Sequence, residues 1–128
     1  MTNTTNIQTS AKLQSSLRRG CEILNNLALV QRLQSANDSG LMGDKPVETK
    51  SSRDSYKVDL NAYINDMKSF VNEIDDETMK SVAIAMLQNT VDVYRVFEPD
   101  HDEINPHIVT CTVYEAINHT EKLLERVA

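Results

Sequence analysis

A chain of 128 residues with a formal net charge of −6 is long enough to bury one hydrophobic core and too short for two ordinary domains. Three glycines, three prolines, two phenylalanines and no tryptophan exclude a turn-rich sandwich or barrel and point to an all-α fold. Residues 1–36 carry Lys12, Arg18, Arg19 and Arg32 against Glu22, a net +3 that leaves −9 for the remainder, and so acidic a body excludes general affinity for nucleic acid or anionic membrane.

Residues 1–8 hold only Met1 and Ile7 as apolar side chains among the Asn and Thr and are expected to form a disordered tail. The first helix is expected over about 9–35, capped by Thr9 or Ser10, with Leu13, Leu17, Leu24, Leu27 and Val30 on helical spacing. Some 26 residues of helix would extend about 39 Å, more than a compact domain of this size needs, and Gly20 within it permits close packing or a bend. Residues 37–55, "NDSGLMGDKPVETKSSRDS", lack periodicity and read as a long mobile linker in which only Leu41 and Met42 offer apolar handles.

The second helix, expected over 58–74, carries Leu60, Tyr63, Ile64, Met67, Phe70, Val71 and Ile74 on one stripe, with Asp59 as its cap. Asp75 or Asp76 then caps a third helix over 76–97, closing a tight helical hairpin. This helix is apolar on two strips, Val82, Ala83, Met86, Val93, Tyr94 and Phe97 on one and Ile84, Leu87 and Val91 on the other. Pro99 stops it. Asn105 as cap and Pro106 in the first turn start the fourth helix, over 105–127, whose buried face is expected to hold Val109, Val113, Ala116, Ile117, Thr120, Leu123, Leu124 and Val127. The result is a four-helix bundle-like domain over 9–128, with a long first helix and a long 37–55 linker.

All three histidines and Cys111 fall within residues 98–119. His107, Cys111, Glu115 and His119 recur at every fourth residue on the side of the fourth helix away from its apolar stripe. His107 and Cys111 could donate two ligands to one ion and His101 a third, but a zinc signature has paired spacings at both ends and this chain has one pair. The expectation is therefore no metal and no cofactor, with "EPDHDEINPH" an acidic loop and a capped helix start whose carboxylates suit the positive end of a helix.

Arg95 and His101 have an Arg-x5-His spacing that resembles the loose motif of HEPN ribonucleases, helical domains in which such a pair sits over RNA phosphate. The resemblance covers seven residues. The chain departs from that pattern at Val96 and at the break made by Pro99, and Glu98, Asp100, Asp102 and Glu103 would repel a phosphate backbone. No phosphate-cradling glycine loop occurs, and no Ser or Cys is assigned a base and an orienting acid.

These features predict a non-enzymatic helical protein–protein interaction module, a small regulator or inhibitor of phage or mobile-element type that masks a partner. Its contact surface is expected at Ile84, Leu87, Val91, Ile108 and Tyr114, whose surplus apolar area also predicts a homo-oligomer. A variant of this reading has the acidic clusters at Asp75, Asp76 and Glu77 and at Asp100, Asp102 and Glu103 mimic nucleic acid. The alternative is a ligand-binding, metal-binding or enzymatic site in the His101–His119 stretch. Two cysteines without a CxxC, a polar "MTNTTNIQTS" start and no bilayer-length apolar run predict a reducing cytoplasm, of a cell or a host cell, where the Asn-x-Ser/Thr triplets at Asn3, Asn37 and Asn118 carry no glycosylation meaning.

Overall fold

A computed structural model describes residues 2–99 and 105–127, with side chains from Ile7 onward. Every regular element among them is helical: α1 (Thr2–Asp38), α2 (Lys50–Glu73), α3 (Glu77–Phe97) and α4 (Pro106–Val127). Polar bonds between helix ends fix an up-down-up-down order. Lys12 Nζ lies 3.2 Å from Glu73 Oε2, setting the start of α1 against the end of α2. Arg53 Nη2 donates to the Phe97 carbonyl at 2.6 Å, and Gln14 Nε2 donates to the Val127 carbonyl at 2.6 Å. The expected all-α bundle is the observed one, and no helix among the described residues is long and apolar enough to cross a membrane.

Three boundaries differ from the expected ones. Helix α1 begins at Thr2 rather than near Thr9, because no glycine or proline interrupts its backbone ladder before Gly20. Its 37 residues extend about 55 Å, and from Ile7 onward the first of them to be buried is Leu13. The C-terminal end is closed by Gly40 at φ 79°. There the Leu41 N–H donates to the Ala36 carbonyl at 3.0 Å and the Gly40 N–H to the Asn37 carbonyl at 3.2 Å, which is a Schellman closure needing a left-handed residue.

The expected 37–55 linker shrinks to residues 39–49. Helix α2 starts at Lys50, eight residues early, so that Asp59 lies inside the helix and caps nothing. Glu48 Oε1 accepts from the Ser51 N–H at 2.9 Å and satisfies one orphan donor of the first turn. The polar segment 50–57 is held as helix by Arg53, a residue only 5% exposed. Nor is the remaining loop loose. Asn37 grips Val47 twice, Nδ2 donating to its carbonyl at 2.6 Å and Oδ1 accepting from its N–H at 3.0 Å, and Thr49 Oγ1 donates to Gln34 Oε1.

The caps at the other two helix starts are the expected ones. Asp76 Oδ1 accepts from the Met79 N–H at 2.9 Å, and Asn105 Oδ1 accepts from His107 N–H at 3.0 Å and Ile108 N–H at 3.3 Å. The core takes Leu13, Leu17, Leu24 and Leu27 from α1, Leu60, Met67 and Phe70 from α2, Val82, Met86, Val93 and Phe97 from α3, and Val109, Val113 and Leu123 from α4. Leu124 and Val127 close it from the rim.

Gly20 sets the spacing of this core. A Cβ there would lie 2.6 Å from the Tyr63 hydroxyl oxygen and closer still to Met86 Cε. Through this residue α1 therefore meets α2 and also α3, the helix diagonally across the bundle. The Tyr63 hydroxyl, held in that crevice, donates to the Ser16 carbonyl, and burial together with nearby Cys21 pushes its pKa up.

Candidate functional site

The start of α4 displays His107 and Cys111 as the sequence places them, on the exposed side, with Cys111 Sγ 3.8 Å from His107 Nε2. Among the described residues no three His, Cys, Asp or Glu side chains are grouped to hold a metal ion. His101, Asp100, Asp102 and Glu103 lie outside the described residues. Of the Arg-x5-His pair only Arg95 is described, exposed on α3. Cys21 is half-buried in α1, and its thiol pKa is raised by burial and by the Glu121 carboxylate, with the Asn25 amide opposing, which disfavours the thiolate a nucleophile needs.

The last member of the His107, Cys111, Glu115 and His119 series, His119, has a structural role that periodicity did not indicate. Its Nδ1 lies 2.9 Å from Asn89 Oδ1 across the α3/α4 seam, at a cleft of about 280 Å³ shared with Asp92, Thr112 and Glu115. Asn89 is 8% exposed and its Nδ2, shut from solvent, has no hydrogen-bond partner among the described residues. A buried donor left unmade costs about 1–3 kcal/mol. Asn89→Leu, which removes that donor at similar volume and frees His119 to water, is expected to raise stability by about 1 kcal/mol; a shift of the urea midpoint at constant m-value measures it.

The five residues expected to form one contact surface divide between two faces. On α3, Leu87 and Val91 are half-buried and Ile84 is 48% exposed. With Met86 at the centre of the buried face, 100° per residue turns all three towards α2, the side opposite Asn89. On α4, Ile108 at 52% and Tyr114 at 38% exposure flank Cys111 on the outer side, Tyr114 turned towards α1 and Ile108 towards α3. The two faces do not merge.

What joins the α3 face is a residue periodicity passes over. Val58 of α2 is 69% exposed, two positions before Leu60 and so nearly opposite it on the helix. Together with Asp54, Lys57 and Asn61, Val58 lines an outer cleft of about 310 Å³ against Tyr94 of α3. In the antiparallel α2/α3 pair Val58 stands level with Tyr94, and Val91, Leu87 and Ile84 continue the apolar strip down the hairpin for about 15 Å. Of the acidic cluster at residues 75–77, Asp76 is spent as the cap of α3, and Asp75 and Glu77 are exposed at its start.

No family model matches this chain, and neither the curated proteins nor the solved structures contain a match to it.

Proposed function

We propose that this chain is a non-catalytic helical interaction module, a small regulator that acts by docking on a protein partner and masking it. One observation carries the reading: the outward face of the α2/α3 hairpin leaves Val58 and Ile84 exposed at the two ends of an apolar strip whose middle residues, Tyr94, Val91 and Leu87, are half-buried and pack against the core from its rim. An apolar strip left uncovered beside a cleft is the usual ground of a docking site, and a groove between two helices suits an amphipathic segment. Self-association, also expected of the sequence, falls in this reading to the separate Ile108–Tyr114 face of α4. A monodisperse monomer by sedimentation at all concentrations would remove that part alone.

The test is comparative cross-linking mass spectrometry in a lysate of the source cell, with wild type and Ile84→Asp. A protein cross-linked to the α2/α3 face by wild type and lost with the variant, at unchanged circular dichroism, is the expected result. An identical cross-linked set for wild type, Ile84→Asp and Leu87→Asp would sink the reading.

A further inference from the structure

The charges around the apolar strip are not those of the chain as a whole. At one end stand Lys57, half-buried, and Arg95, exposed; at the other stand Lys68, level with Ile84, and Lys80, a turn beyond. The acidic residues of this face, Asp54, Glu98 and Glu77, each stand about one turn beyond a basic residue towards the ends of the hairpin; Asp54 also lines the cleft beside Val58, and Lys57 Nζ donates to the Glu98 carbonyl at 3.4 Å. Asp54 is also drawn to Arg53, whose Nη1 is 3.9 Å away. A chain of net charge −6 therefore presents an apolar centre bracketed by cations about 20 Å apart, which is about 13 residues of helix.

We propose that the occupant of this strip is an amphipathic helix of a partner protein with acidic residues about 13 positions apart, one group for each basic pair, and apolar residues between them. The inference rests on the interaction reading above and adds the chemistry of the partner. Charge complementarity selects this occupant over a second copy of the chain. A two-fold pairing through this strip would lay basic pair against basic pair, because an isologous contact presents the same patch from both sides. The strip spans between two and three turns of helix, and the cleft beside Val58 and Tyr94 can receive one side chain as an anchor.

The test uses the full chain and two fluorescein-labelled synthetic helical peptides of identical apolar face, one with Glu and one with Lys at the flanking positions. Fluorescence anisotropy is expected to show the Glu peptide binding at least about tenfold more tightly than the Lys peptide, with the preference shrinking as salt rises. In the double variant Lys68→Glu and Arg95→Glu, both sites exposed and outside the core, the preference is expected to reverse, whereas Ile84→Asp abolishes binding of either peptide. Equal binding of both peptides to wild type, lost with Ile84→Asp, would overturn the acidic partner and leave the docking strip standing. If Ile84→Asp changes nothing, or if wild type forms a dimer that this variant dissociates, the inference is overturned outright.

Discussion

Replacing Arg53 by alanine is expected to lower the stability of the fold by about 2–4 kcal/mol, because hydrogen bonds from a charged donor are lost and buried acceptors are left unmade. The Arg53 side chain is 6% exposed. Its Nη2 donates to the Phe97 carbonyl at 2.6 Å and to the Pro99 carbonyl at 2.7 Å, and its carbon stands 5.7 Å from the centre of the Phe97 ring. These carbonyls belong to the last turn and exit of α3, where the helix dipole favours a cation and the acceptors have no intrahelical donor. Alanine would remove the donor and leave the acceptors behind it.

Lysine retains the charge but not the planar fork, so Arg53→Lys is expected to lose about 2 kcal/mol or more rather than to rescue. Urea unfolding followed at 222 nm measures both variants. A loss below about 1 kcal/mol for Arg53→Ala would mean that the start of α2 is held by something other than this residue. The experiment also bears on the docking strip, since Arg53 pins the end of the hairpin from which Lys57 and Val58 project.

Gly20→Ala is the second large effect, and its sign is the informative part. On an open helix face the change would add about 1 kcal/mol of stability, because glycine is the poorer helix former. Here the new methyl group would meet the Tyr63 hydroxyl oxygen at 2.6 Å and the ring carbon bearing it at 2.8 Å. Overpacking of this kind costs about 1–3 kcal/mol. The net expectation is a loss of about 1–2 kcal/mol, since Met86 Cε, the end of a flexible side chain, can move and the tyrosine ring cannot move far. Gly20→Leu is expected to prevent α1, α2 and α3 from closing together. The double variant Gly20→Ala with Met86→Ala should lose less than the sum of its parts, as contacting residues do. A rise in melting temperature for Gly20→Ala would show that the three helices do not cross so closely.

Much of this architecture was legible because helical burial is periodic. The apolar stripes of α1 to α4 are the observed core, and the Asp76, Asn105 and Pro106 starts are where the cap chemistry puts them. Boundaries in polar sequence were not legible. Residues 50–57 carry no apolar repeat, and α2 extends through them because Arg53 spends its hydrogen-bonding capacity on another helix, a partnership no local pattern encodes. For the same reason the Asn37 clasp on Val47 turns an apparently loose segment into a tied loop.

The candidate site shows the same division. The sequence by itself determined that Ile84, Leu87 and Val91 lie off the main stripe of α3 and that Ile108, Cys111 and Tyr114 lie off that of α4, because 100° per residue fixes which side chains of one helix share a face. It also determined that His107 and Cys111 stand on the exposed side. The tertiary structure alone decided which off-stripe residues become neighbours. By setting α2 antiparallel to α3 it joined Val58 and Tyr94 to the Ile84 strip and placed two basic pairs at the ends, while α4 turned Tyr114 towards α1 and sent His119 to Asn89. The rotation of each helix about its own axis, and its partner in the bundle, are set by the packing of all four at once, with Gly20 as the point of closest approach, and no single helix carries that information in its own periodicity.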